Sequence, residues 1–281
     1  MISRAFGETG RTVPVIGQGT WNIERGDRKS AVASLQRGLD LGMTHIDTAE
    51  MYGSGRSEDI VGEAIKGRRR EDLFIVSKVL PENASRSGTI TACERSLKHL
   101  KTDYLDCYLL HWRGRHALEE TFAGFEELVR AGKIRSWGVS NFDADDLDEA
   151  VSIVGEGKIA CNQVLYHLGE RGIEHGVIPW CEKHGVAVVA YSPFGQSSFP
   201  EARSAGGRVL EEVAKLVGAT PRQVALAFLT RRPHVFAIPK HSSVPHAEEN
   251  AGAGAVKLTE AEIAKIDSAF PRGRARGLQM I

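Results

Sequence analysis

Residues 44–53 read T-H-I-D-T-A-E-M-Y-G. A short apolar beat runs into an acid, and a tyrosine follows five residues later. An extended run ending at Asp47 exposes a carboxylate at a strand end, and the loop after it returns the Tyr52 hydroxyl to the same place. Taken alone this decides nothing, because an acid at a strand end is more often a turn or cap residue than a catalyst. Its meaning depends on what the rest of the chain brings beside it.

Working outward, short apolar runs alternate with amphipathic stretches almost to the end of the chain. Strands are expected over residues 15–19, 44–47, 74–78, 105–111, 137–140, 161–163, 188–192 and 236–240. Helices are expected after each in turn, over 30–41, 57–65, 89–100, 121–131, 145–154, 176–184, 222–231 and 260–270, with one additional helix over 208–217. Thr220–Gln223 and Thr259–Glu262 carry the spacing of a capping box, in which the two side chains satisfy each other's orphan amides. Residues 2–13 alternate about Glu8-Thr9-Gly10 and predict an N-terminal β-hairpin. Eight strand–helix units with no Pro/Gly/Ser-rich linker predict an α/β protein, a single closed (β/α)8 TIM barrel forming one domain over residues 1–281. An open doubly wound sheet would place a glycine-rich phosphate turn after its first strand. Gly17-Gln18-Gly19 continues as Thr20-Trp21-Asn22 and lacks the third glycine, so that layout is set aside.

Composition narrows the partner. The 281 residues are 42% hydrophobic, enough for a sizeable core. Lys and Arg total 36 against 36 Asp and Glu, a balance that favours neither nucleic acid nor an anionic membrane. No segment has the apolar length of a membrane span, and the first residues lack the pattern of a signal peptide. Cys93, Cys107, Cys161 and Cys181 form no CxxC pair, which suits free thiols in a reducing, cytoplasmic compartment. The ten histidines include no HExxH, so no metal is expected. A small molecule is the expected partner, and nothing demands an assembly beyond a monomer.

In a parallel barrel the carboxyl ends of the strands share one rim, where active sites form. Those ends offer Thr20 and Trp21, Asp47, Lys78, His111, Ser140 and Asn141, Gln163, Tyr191 and Ser192, and Lys240. Each has an ordinary reading: a strand-end lysine reaching solvent, a core histidine, an aromatic of a barrel layer. The coincidence carries more weight. A phenol with a pKa near ~10 donates protons sluggishly at neutral pH. A cation beside it favours phenolate, so Lys78 would tune Tyr52 as a general acid. Asp47 would pair with Lys78, and His111 would orient a carbonyl.

These residues resemble the catalytic tetrad of the aldo-keto reductase superfamily. Gly19-Thr20-Trp21, His45-Ile46-Asp47-Thr48-Ala49, Tyr52-Gly53, Tyr108-Leu109-Leu110-His111-Trp112, Gly138-Val139-Ser140-Asn141-Phe142, Asn162-Gln163, Tyr191-Ser192-Pro193, Ile238-Pro239-Lys240 and Glu249-Asn250 follow the family pattern in order. The resemblance implies a barrel that binds NADP(H) in extended form. It implies nicotinamide stacked on Tyr191, its carboxamide on Ser140, Asn141 and Gln163, and contacts along Gly19, Thr20, Trp21 and Asp47. Ser192, Pro193, Phe194 and Gly195 would line the pyrophosphate, Lys240 would meet the ribose phosphate, and Glu249 and Asn250 the adenine. The family's serine and arginine around that phosphate are replaced by His241 and His246, leaving Lys240 as the main contact with Ser242 or Ser243 as helpers, so NADP(H) is preferred and NAD(H) use is conceivable.

Trp21, Met51, Tyr52, His111 and Trp112 are the expected wall of a pocket for a small carbonyl substrate. The tail over residues 271–281 is short, which suggests an open pocket, and its Arg272, Arg274 and Arg276 read as a solvated charge run. The activity implied is reduction of aldehydes and ketones to alcohols. The alternative is a cofactor-binding regulatory subunit with little turnover.

Overall fold

A computed structural model describes residues 1–281. The chain opens with an antiparallel hairpin of β1 (Ser3–Ala5) and β2 (Thr12–Pro14), in register Ser3↔Pro14 and Ala5↔Thr12. Eight parallel strands follow in unbroken sequence order: β3 (Gln18–Gly19), β4 (His45–Asp47), β5 (Phe74–Val79), β6 (Leu105–Leu110), β7 (Ile134–Ser140), β8 (Ile159–Leu165), β9 (Ala187–Tyr191) and β10 (Val235–Ala237). Parallel bridges Ile16↔Ala237 and Gly19↔Lys240 join the first strand to the last. The amide of Gly17 donates to the Ala237 carbonyl at 2.8 Å, and that of Ala237 to the Val15 carbonyl at 2.9 Å. With both edges paired, the sheet is the (β/α)8 barrel expected from the alternation, and no unpaired edge invites another strand.

Between and after the strands run α1 (Arg28–Asp40), α2 (Arg56–Ala64), α3 (Arg86–Leu100), α4 (Leu118–Arg130), α5 (Ala144–Val154), α6 (Val177–Lys183), α7 (Ala205–Val217), α8 (Pro221–Leu229), α9 (Val244–Gly252) and α10 (Glu260–Ala269). Their sequences explain their ends and faces. Along α4, Leu118, Phe122, Phe125 and Leu128 recur at helical spacing and are buried, while Glu119 and Glu120 sit in the first turn, where the helix dipole favours negative charge. Both expected capping boxes form, Thr220 with Gln223 on α8 and Thr259 with Glu262 on α10.

The structure corrects the expected layout in one place. Residues 244–252, for which the sequence predicts no helix, form α9, so two helices follow β10, as two follow β9. Pro245 and the glycines around 252–254 mask the helical pattern, although proline is well tolerated in a first turn.

The hairpin closes the end of the barrel where the strands begin. Phe6 is fully buried there, with ring centroids 4.7 Å from Phe74 and 5.0 Å from Phe236. The opposite rim, where the strands end, is left for chemistry.

Candidate active site

The loop after β4 turns back through three consecutive left-handed residues, Gly53, Ser54 and Gly55. A Cβ on Gly53 would come within 2.5 Å of the Glu24 side chain, so glycine suits that position on two counts. Glu50 fastens the loop to the strand beside it: its carboxylate accepts from the Leu80 amide at 2.7 Å and from Asn83 Nδ2 at 3.0 Å, and it pairs with Arg95. The loop thereby returns Tyr52 over the end of β5.

Lys78, one residue before the end of β5, points into the barrel, fully buried. Its ammonium donates to Asp47 Oδ1 at 2.6 Å, to the Thr48 carbonyl at 2.8 Å and to the Tyr52 hydroxyl at 3.3 Å. An ammonium has three protons, and all three have partners. Burial works against that charge, but Asp47 and the Tyr52 oxygen more than offset it and hold Lys78 above the usual lysine range. Tyr52 itself is raised: burial disfavours its phenolate and outweighs the opposing pull of Lys78. The expected net lowering by Lys78 therefore does not appear; the lysine limits a rise that burial imposes.

His111 follows β6 directly, its amide donating to the Val79 carbonyl at 3.0 Å and its carbonyl accepting from Asn141 Nδ2 at 3.1 Å. Its ring lies edge-on to Tyr52 with centroids 5.7 Å apart. Burial and then the Lys78 charge push its pKa well below the usual histidine value, so the ring is neutral. Nδ1 is enclosed without a partner. The Nε2–H tautomer then places the single ring donor toward the cleft.

One cleft gathers most of the expected residues: Gly19, Thr20, Trp21, Asp47, Met51, Tyr52, His111, Trp112, Ser140, Asn141, Gln163, Tyr191, Ser192 and Lys240 line it. Trp21 and Met51 are 41% and 37% exposed, an apolar wall open to a ligand. Asn141 adopts a left-handed backbone, φ 61°, and its Oδ1 accepts from the Tyr191 hydroxyl at 2.9 Å. Burial pushes Tyr191 up to about 12, so its hydroxyl stays protonated.

Other expected contacts lie elsewhere. Pro193 is buried, and Phe194 packs edge-on to Phe199, with the Arg222 guanidinium over both rings. Gly195 makes a left-handed turn, φ 64°. His241 is buried, its Nδ1 2.6 Å from Ser34 Oγ on α1, and burial lowers its pKa to about 4. It anchors the segment to the barrel and presents no charge to a phosphate. Exposed Lys240 reaches Ser242 Oγ at 3.3 Å, and His246 is exposed in the first turn of α9. Glu249 accepts from Thr220 Oγ1 at 2.8 Å, and Asn250 is buried.

Four lining residues were not foreseen: Gln196, Ile238, Met280 and Ile281. The last two correct the expectation of an open pocket. The tail crosses the rim, held by pairing of Arg276 with Glu170 and by His175 Nε2 to the Gly273 carbonyl at 3.2 Å, so Arg276 is not merely solvated. No sequence pattern announced this docking, which depends on partners a hundred residues upstream.

The donors present fit an extended dinucleotide. No side chain caps the N-terminus of α9, and the Lys240 ammonium lies 3.3 Å from Oγ of Ser242, just ahead of that helix, an arrangement suited to phosphate. The cleft continues past Tyr191 to the Asp47–Lys78–Tyr52 cluster. No group of three or more His, Cys, Asp or Glu is placed to hold a metal ion.

Comparison with known proteins agrees with this geometry. The model of the Aldo/keto reductase family matches residues 15–270. Methylglyoxal reductase YeaE of Escherichia coli is 46% identical over 267 residues, 94% of each chain. Glyoxal reductase of Bacillus subtilis is 34% identical, covering 92% of this chain and 90% of its own. An aldo-keto reductase from Klebsiella pneumoniae, solved in complex with NADPH, superposes over 100% of both chains with a TM-score of 0.92 at 42% identity. With the match spanning nearly the whole barrel, the chain belongs to the aldo/keto reductase family.

Proposed function

We propose that this chain reduces small aldehydes and ketones with NADPH, with Tyr52 as the proton donor. The observation that carries the reading is the buried Lys78 ammonium, 3.3 Å from the Tyr52 hydroxyl, with its other two protons on Asp47 and Thr48. A bound nicotinamide supplies the hydride. As the carbonyl oxygen gains charge, His111 donates a hydrogen bond to it and Tyr52 gives it a proton. The phenolate left behind faces Lys78, which stabilises it where burial alone would not.

For the coenzyme, Tyr191 provides the stacking face and Ser140, Asn141 and Gln163 the amide contacts, while Lys240, Ser242 and His246 receive the ribose phosphate. Substrate meets Trp21, Met51 and Trp112, and the relatives' names point to small dicarbonyls as the first compounds to test. The chain works as one domain and as a monomer in the cytoplasm; four free, buried cysteines support a reducing compartment. The rival reading, a regulatory subunit, finds no support in relatives that are reductases.

The test is loss of NADPH absorbance on adding methylglyoxal, glyoxal and simple aldehydes, with titration of both coenzymes. Turnover and a lower dissociation constant for NADPH than for NADH are expected. Tight NADPH binding without consumption would favour the regulatory reading, and tighter NADH binding would overturn the coenzyme preference.

A further inference from the structure

Asp47 divides its two oxygens between different partners. Oδ1 accepts from Lys78 at 2.6 Å, while Oδ2 accepts from Gln163 Nε2 at 2.7 Å, a bond that crosses from β4 to β8. Asp47 and Gln163 are 1% and 2% exposed. The Gln163 backbone is itself pinned, its carbonyl accepting from Ser140 Oγ at 2.8 Å and from the Asn141 amide at 2.9 Å. No protein group bonds the side-chain oxygen of Gln163, and the residue lines the cleft.

We propose that Gln163 is a positioning residue for proton transfer: its amide holds Asp47 ionised and aligned on Lys78, and so connects the floor of the cleft to the Tyr52 hydroxyl. The inference rests on the roles proposed for Tyr52 and Lys78. Burial raises the proton affinity of Asp47, and Lys78 and Gln163 oppose the rise. If Asp47 takes a proton, Lys78 loses the counter-ion that aligns it, and its ammonium is no longer held toward the Tyr52 hydroxyl. The other titratable groups around the pair are Cys161 on β8 and the neutral rings of His45 and His111. A ligand amide donating to the free oxygen of Gln163 polarises the side chain and strengthens its bond to Asp47. Filling the coenzyme site thereby firms the acid–base cluster.

The carboxyl of Asp47 is followed by carbon NMR in aspartate-labelled protein without coenzyme, and assigned with Asp47→Asn. In Gln163→Leu its titration midpoint should move up by about one pH unit, and the acid limb of kcat should move with it. Gln163→Glu preserves shape and sets a second carboxyl against Asp47, so two coupled steps are expected, the upper one far above the ordinary carboxylate range. This variant decides the matter if the leucine variant fails to fold. A midpoint unmoved in the leucine variant, or two independent, ordinary carboxyls in the glutamate variant, would overturn the inference even if NADPH affinity fell. Absence of carbonyl reduction by the unaltered protein would reject the functional reading instead, and the NMR midpoint would still test the link from Gln163 to Asp47.

Discussion

At the scale of single residues, the interior of this barrel is governed by which buried groups keep their charge. Lys78 stays an ammonium because every proton has an acceptor, whereas His45, two residues before Asp47, is fully buried with neither ring nitrogen partnered. Burial, helped by the Lys78 charge, lowers His45 to about 3. In the unfolded chain a histidine titrates near ~6.5. Above that value the ring is neutral in both states and folding loses nothing. Below it the unfolded chain takes a proton that the folded one refuses, so stability falls as pH drops from about 6.5 toward about 3. Urea unfolding of His45→Phe should show a shallower loss of stability with acid, by ~1.4 kcal/mol per pH unit. Equal slopes for the variant and the unaltered protein would contradict the assignment. Asp47, Lys78 and His111 were legible as residue types at strand ends and Tyr52 as the phenol of the loop after Asp47; the direction in which Tyr52 shifts was not, because burial is set by neighbours that a sequence does not locate.

At the scale of elements, legibility followed how locally each element is specified. The helices with capping boxes and the strands with long apolar runs carry their signals within themselves. By contrast, α9 begins at a serine that makes no cap bond and runs into glycines, and the tail is ordered by Arg276 meeting Glu170, so neither is written in a local pattern. The hairpin is intermediate: its turn was readable, its purpose was not. Phe6 fills the closed end of the barrel, edge-on to His45 at 5.7 Å and against Phe74 and Phe236. The adjacent Gly7 leaves no slack, since a Cβ there would lie 2.3 Å from the Ala160 carbonyl oxygen. Phe6→Ala should therefore cost ~3–5 kcal/mol in chemical denaturation, with little change in KM because the rim lies at the other end. A loss below about 1 kcal/mol would mean that the end collapses or fills with water.

At the scale of the whole molecule, the closed sheet explains how residues far apart in the chain come to line one cleft. Asp47 comes from β4, Lys78 from β5, His111 from the end of β6, Gln163 from β8 and Tyr191 from β9, and Tyr52 returns by a clamped loop. Parallel strands deliver the strand-borne side chains to the same rim, so the cluster is a consequence of closure together with register. On this reading, the phenol at the centre of this rim gives up its proton. Single-turnover reduction of methylglyoxal by NADPH-loaded Tyr52→Phe, with NADPH affinity measured in parallel, tests that most directly. The account predicts unchanged coenzyme binding and a rate lowered on the order of a hundred- to ten-thousandfold; a Tyr52→Phe enzyme that reduces the aldehyde at the full rate would contradict it.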